Sequence, residues 1–209
     1  MKSYQEVTLM EQMDVNYNHV FSLVYQELHN ALSECQSESK GAIAVSFPEY
    51  YFNAKTNKSN LGKKMRVFAE HEADLDALDL KGAMSHFSDY VHITSIKDVG
   101  DKATHYEVYT RYRHDGYEKR ARRFQAHFIK KFGDDAYAEA FGSFDKVLEH
   151  CEKHNKQLGV PYINVKSNSN GNEYCIRVKK EQVDKCSNSA VFNSFGLSCN
   201  QKKSTVPGW

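Results

Sequence analysis

An α+β fold is what the sequence predicts, and three observations carry that reading. Stretches that alternate polar and apolar residues are interleaved with stretches whose apolar residues recur at helical spacing. The first half takes them in the order β-α-β-β-α-β, that of a ferredoxin-like or RNA-recognition-type sandwich. The second half changes character, passing through a basic helix to a β-rich end whose Asn-Gly pair signals a hairpin.

In order along the chain, "SYQEVTLME" alternates and reads as a strand, and residues 15 to 36 carry apolar positions at helical spacing. "AIAVSFP" is a short buried strand stopped by Pro48. A polar loop of Asn, Lys and Ser fills 53–60. "KKMRVFAE" then alternates again, "HEADLDALDLKGAMSHF" returns to the helical period, and "YVHITSI" closes the half as a strand. The polar, Gly-containing "KDVGDKA" (97–103) marks a boundary. It separates a ferredoxin-like domain over 1–100 from a smaller α/β domain over 101–209. There "THYEVYTRYR" alternates, Gly116 breaks the pattern, and "YEKRARRFQAHFIKKF" forms a basic helix ending before Gly133. A second helix covers roughly 135–155, and "PYINVKS" and "EYCIRVKK" flank the turn "NSNGN".

With 209 residues, 40% of them apolar, the chain can bury a sizeable core. Its 28 basic and 27 acidic residues nearly cancel, so polyanion binding has to come from a local patch. One exists. Between Arg111 and Lys131 stand eight basic residues (Arg111, Arg113, Lys119, Arg120, Arg122, Arg123, Lys130, Lys131) against Asp115 and Glu118. Compensating acid gathers at Glu70, Glu72, Asp74, Asp76 and Asp79. Arg120, Arg123 and Lys130 or Lys131 recur at helical intervals and can track phosphates. Arg111 and Arg113, two apart on a strand, point to one face, where a guanidinium can meet a guanine edge with two hydrogen bonds. A basic helix alone is as often a solvated face; the adjoining two-arginine strand tips the reading towards nucleic acid. No basic-then-apolar leader is visible and no apolar run approaches the ~20 residues of a membrane helix, so a cytoplasmic protein is expected. Five cysteines without repeated short spacing argue against a disulfide framework and a structural zinc site, and for reduced thiols.

Three stretches are candidates for chemistry. His150 and His154 in "HCEKH" have the spacing of a zinc pair, but Cys151 stands where the metalloprotease pattern needs Glu, and two ligands are too few. "VKSNSNG" clusters Ser167, Ser169 and amides at a strand end, where they close a turn or hydrogen-bond a ribose or phosphate. No G-x-S-x-G elbow or Walker loop accompanies it, which leaves serine and nucleotide hydrolases without support. In "VYQELHNALSE", His29 borders the apolar stripe of Val24, Leu28, Ala31 and Leu32. An imidazole ordinarily titrates near pH ~6.5 and suits proton transfer, yet periodicity does not separate a packed histidine, a surface histidine and a catalyst.

"ELHNAL", "AVSFPEY", "NLGKKMRV", an Arg-x-Arg strand leading into an arginine-rich helix, "PYINVKSNSNG" and "FGLS" follow one another across nearly the whole chain. Together they resemble the CRISPR-associated repeat-processing endoribonuclease of type I-F systems. The resemblance implies a ferredoxin-like domain followed by a domain whose arginine-rich helix lies in the major groove of a CRISPR repeat RNA hairpin. Arg111 and Arg113 match base-reading positions at the foot of the stem, the second often a glutamine in the family. Lys119, Arg120, Arg122, Arg123 and Lys130 would bind the stem and Tyr174 would stack on its last base pair. His29 takes the catalytic position and Ser167 that of the serine holding the attacking ribose, with Ser169 and Phe195 in support. The implied cleavage needs neither metal nor cofactor: a 2′-OH attacks the adjacent phosphorus and leaves a cyclic phosphate and a 5′-hydroxyl. The product would stay bound, making the chain a subunit of the surveillance complex beside other protein subunits, with no membrane partner. Phe195 stands where the family usually has tyrosine, so a slower enzyme is expected. The competing reading is a non-catalytic RNA-hairpin-binding subunit, and a metal-dependent nuclease using acidic residues is the more distant one.

Overall fold

The computed structural model describes residues 1–11, 15–37, 42–113, 116–153, 159–167, 170–188 and 190–209. In chain order the strands and helices are β1 (Ser3–Leu9), α1 (Tyr17–Ser37), β2 (Ala44–Ser46), β3 (Tyr51–Asn53), β4 (Lys58–Asn60), β5 (Lys64–Ala69), α2 (Glu72–Leu78), α3 (Leu80–Ala83), β6 (Val91–Ile93), β7 (Lys97–Asp98), β8 (His105–Tyr112), α4 (Tyr117–Phe132), α5 (Asp134–Ala140), α6 (Phe144–Lys153), β9 (Tyr162–Lys166), β10 (Glu173–Val183) and β11 (Val206–Gly208). This is the predicted α+β class. The chain divides into two compact units, one made of Met1–Tyr112 with Gly159–Trp209, the other of Arg113–Leu158.

The first unit holds two sheets. One has the order β2-β5-β1-β6, with β7 added on β1, and every pairing is antiparallel. Counting only the strands of the β-α-β-β-α-β run, that order is 2-3-1-4, as the ferredoxin-like reading requires. Helix α1 packs an apolar stripe of Val20, Phe21, Val24, Tyr25, Leu28, Ala31 and Leu32 into the core it shares with Val7, Leu9, Met65 and Val67 of the sheet. Burying each such side chain contributes roughly 1.5–3 kcal/mol. The second sheet, β11-β8-β10-β9, is antiparallel throughout. Its Tyr109, Ile163, Val165, Ile176 and Val178 join the same buried cluster as Val45 and Phe47. A shared core is why both sheets fall in one unit. The polar stretch 97–103 supplies β7 and a 3₁₀ turn within that unit, and the second unit begins at Arg113.

The expected polar loop at 53–60 is instead a small hairpin of β3 and β4. Asn57 turns it with a φ of 55°, and the Asn53 carboxamide oxygen accepts from the amides of Lys55 and Thr56. Its strands are largely solvated, so they lack the alternation that marks a half-buried strand.

The second unit is a helical triplet. Helix α4 covers the residues its periodicity predicted and turns Ala121, Phe124 and Phe128 towards Tyr137, Phe141, Val147 and Cys151. The single helix expected over 135–155 is split into α5 and α6, with Gly142 between them at a φ of 66°. All five cysteines are free thiols. No helix among the described residues is long and apolar enough to cross a membrane.

Candidate active site

Helix α1 buries Val24, Leu28, Ala31 and Leu32, which leaves His29 half-exposed at the margin of the core. Its Nδ1 lies 2.7 Å from the carbonyl oxygen of Ser194. A carbonyl only accepts, so Nδ1 carries the proton in this pair and the neutral ring keeps its lone pair on Nε2. One turn on, the Ser33 hydroxyl donates to the His29 carbonyl at 2.8 Å and stands 3.4 Å from Nδ1. The Phe195 ring stacks on the imidazole, centroids 4.2 Å apart and planes 21° from parallel. One edge and one face of the ring are therefore held, and Nε2 is the atom positioned to take or give a proton.

The turn that holds His29 is itself tightly tied. The Asn193 side-chain oxygen accepts from the amides of Phe195 (2.9 Å) and Leu197 (3.2 Å), and the Gly196 amide donates to the Asn193 carbonyl at 2.8 Å. Gly196 has a φ of 68°, and a Cβ there would come within 2.3 Å of Val45 Cγ2. Glycine alone meets both demands. Three elements anchor the turn: the Tyr25 hydroxyl donates to the Phe195 carbonyl at 2.9 Å, the Val45 amide to Gly196, and the Ser198 amide to Tyr109. Burial, with Tyr174 adding to it, pushes the Tyr25 phenol far above its ordinary range, so it remains a neutral donor.

Arg111, near the end of β8, places its guanidinium 5.5 Å from the ring centre of Phe195 and 5.5 Å from that of Tyr174. His29, Phe195, Arg111 and Tyr174 thus form one row of stacked or cation–π neighbours. Arg113 comes one residue after the end of β8. Pairing of β8 with β10 stops at Tyr112, opposite Arg177. Arg113 is exposed and belongs to the second unit.

Strand β9 lies at the edge of its sheet, and α1 side chains cover that edge. The Asn164 amide donates to Ser22 Oγ at 3.4 Å and the Lys166 amide to Gln26 Oε1 at 2.8 Å. Four helical residues rise about 6 Å and two strand residues about 6.6 Å, so the elements run in step. The same match brings Ser167, next in the chain, level with the helix turn bearing His29. Ser167 also closes the hairpin, its amide donating to Asn172 and its carbonyl accepting from Gly171. Ser169 lies outside the described residues.

In the second unit Lys119, Arg122, Arg123 and Lys130 are exposed along α4 and Arg120 is half-exposed. Arg122 is engaged by Glu118 at 2.6 Å and lies over the Phe144 ring. His150 packs against Phe124 and Phe141, a core role, and its partner His154 lies outside the described residues. Sequence reading passed over Tyr25, Gln26, Ser33, Asn193 and Gly196. Two signals for them existed: Tyr25 is i−4 from His29 on the same helix face, and "NSFG" is an Asn–Gly turn pattern.

The family model described as CRISPR-associated protein (Cas_Csy4) matches residues 4–209, nearly the whole chain, and the chain belongs to that family. The class is that of CRISPR repeat-processing proteins, nuclease and RNA-binding in character.

Proposed function

We propose that the chain is a metal-independent, site-specific endoribonuclease. It binds the stem-loop of CRISPR repeat RNA, cuts the precursor at the base of the stem, and stays on the product as a subunit of the surveillance complex. The observation that carries this reading is the fixing of His29 by Ser194 and Phe195 with Nε2 presented. The 2′-OH on the 5′ side of the scissile bond attacks the adjacent phosphorus, and the bond from phosphorus to the leaving 5′ oxygen breaks. A cyclic phosphate and a 5′-hydroxyl result. Neutral His29 takes the 2′-OH proton at Nε2, or the imidazolium gives one to the leaving oxygen from the same atom. Nδ1–H donates to Ser194 in either state, so the ring need not move between them. Phe195, without a hydroxyl, supports His29 through its face alone.

Ser167 holds the attacking ribose in line, the positional effect that makes an intramolecular attack productive. Arg111 meets a guanine edge at the foot of the stem and Tyr174 stacks on the last base pair. Arg113, Lys119, Arg120, Arg122, Arg123 and Lys130 engage the stem from the second unit. An A-form major groove is too deep and narrow to read along its length, so access for α4 depends on a short stem with an open end.

The test is repeat-hairpin RNA incubated in chelator. The wild-type protein is expected to release a fragment ending in a cyclic phosphate. Tight binding without cutting would favour a non-catalytic hairpin-binding subunit, the reading to which the missing hydroxyl of Phe195 lends support. Dependence on added magnesium with indifference to His29→Ala would overturn the assignment.

A further inference from the structure

Two turns before His29, the groove between α1 and β9 opens into a pocket of about 180 Å³. Asn18, Phe21 and Ser22 of α1, Asn60 at the end of β4, and Tyr162 and Asn164 of β9 are among the residues that line it, and none of its lining residues is charged. Its floor is fixed: the Tyr17 hydroxyl donates to the Gly62 carbonyl, and the Asn60 side chain accepts from the Gly62 amide at 2.8 Å. Tyr162, 57% exposed, offers its ring at the pocket.

Two elements that line the pocket, α1 and β9, also carry His29 and lead to Ser167. Exposure alternates along β9, so Tyr162, Asn164 and Lys166 stand on one outward face and lead to Ser167. Asn18, Ser22, Gln26 and His29 follow the same line on α1, at spacings of four, four and three residues. From Ser22 to His29 is about 10 Å of helix axis, three stacked nucleotide steps at ~3.4 Å or fewer extended ones. Carboxamides, hydroxyls and an exposed aromatic ring without a cation suit the edge and face of a nucleobase rather than a phosphate. The exposed cation on this path, Lys166, lies between pocket and His29, where a backbone phosphate would pass.

We propose that this pocket binds an unpaired nucleobase of the RNA strand running 3′ from the scissile phosphate, two or three nucleotides past the cut. The inference rests on the cutting role of His29. The nucleotide before the cut then belongs to the stem, and the strand beyond it is single. Tyr162 stacks on the base while the amides of Asn18 and Asn60 meet its edge. Precursor gains this contact, and cleaved product, which ends at the cut, lacks it. The pocket thus favours uncut over cut RNA while the stem contacts hold both alike.

The experiment measures hairpin affinity with His29→Ala protein, so that RNA stays whole, using hairpins that end zero to four nucleotides past the cleavage position. Affinity is expected to rise about tenfold as the second or third nucleotide is added, the scale of one base stacked on an aromatic ring. An abasic site at that nucleotide should remove the gain, and Tyr162→Ala or Asn18→Ala in the same background should shrink it below twofold. Because the gain is a ratio of long to short RNA within one protein, a general loss of fold does not imitate its disappearance. Affinity independent of length, a gain that survives the abasic site, or one undiminished by Tyr162→Ala overturns the proposal. Failure of the cutting role shows differently, as wild-type protein that leaves every length uncut.

Discussion

His29 and the cations of α4 are held in different ways. The imidazole is fixed on one edge by a 2.7 Å hydrogen bond and on one face by a ring, and the turn supplying both is tied to α1, β2 and β8. The arginines and lysines of α4 stand at the surface of a helix seated on its own aromatic core, Arg120 half-exposed and Arg122 engaged by Glu118. Proton transfer falls steeply with misplacement of even an ångström, whereas a phosphate is attracted over a Debye length of about 8 Å at physiological salt. Under the proposed function, the rigid construction serves the cleavage rate and the surface charge of α4 serves affinity. The largest effect should come from His29→Ala. Cleavage is expected to drop about 10³-fold or more, with hairpin affinity kept within twofold, measured by single-turnover assay and by filter binding on the same RNA. A tenfold loss of affinity would break the division between the two regions.

A milder blow to the same region should act through geometry alone. Gly196→Ala keeps every catalytic group but puts a Cβ against Val45 and forces alanine into the left-handed region. The turn must shift, moving the Ser194 carbonyl and the Phe195 ring together. A rate loss of about 10²-fold is expected, again with affinity retained. An unchanged rate would mean that the stacked ring and the carbonyl do not set the pose of His29.

The contrast also explains what could be read from sequence. Helices α1 and α4 were legible because a 3.6-residue period survives in each, and their apolar stripes face a core. His29 was legible as a marginal residue of one stripe, but what holds it was not. Its partner is a main-chain carbonyl 165 residues away, and every residue type offers such a carbonyl. Gly196 matters through the approach of Val45, another neighbour with no local trace. The β3–β4 hairpin was hidden by solvation, and β11 by its length of three residues and by Pro207, which is tolerated because this strand lies at the sheet edge. Arg111 and Arg113 looked equivalent because alternation carries on past Tyr112 in the sequence, whereas β8 and its pairing with β10 end there.

The compliant region should respond to smaller, additive changes. Arg120→Ala and Arg123→Ala are each expected to weaken hairpin binding several-fold and to flatten the dependence of log affinity on log salt by about one unit. The cleavage rate at saturating protein should stay the same. Fluorescence titrations between 50 and 200 mM salt, on the scale where such slopes are resolved at roughly one unit, check this. Equal slopes in wild type and variants would place these side chains away from the RNA. A slower saturated rate would mean that α4 orients the scissile bond as well as holding the stem.

The smallest effect concerns the support of the rigid region, where Glu107 of β8 is buried among His105 Nε2 (2.9 Å), the Tyr109 hydroxyl (2.7 Å) and Lys180 Nζ (2.5 Å). Burial by itself raises the carboxyl pKa, but hydrogen bonds from Lys180, Tyr109 and His105 outweigh it, and the result lies below the ordinary range. A carboxyl lowered by folding contributes stability that is complete above its unfolded pKa, about 4.3, and is lost as the pH falls through the folded value. The Tyr109 hydroxyl, its one proton shared with Glu107, also stands 2.9 Å from the Phe47 carbonyl, so this cluster joins β8 to the segment following β2, whose Val45 anchors the His29 turn. Glu107→Gln keeps the shape and removes the charge. Wild type is expected to melt a few degrees above the variant from neutral pH down to about pH 5, with the gap closing as acid protonates the native carboxylate. Melting curves at half-unit steps from pH 7 to pH 3 read it directly. A gap that is flat with pH would show that the charge of Glu107 adds nothing beyond its hydrogen-bonding shape, and the support of the rigid region would then rest on neutral contacts alone.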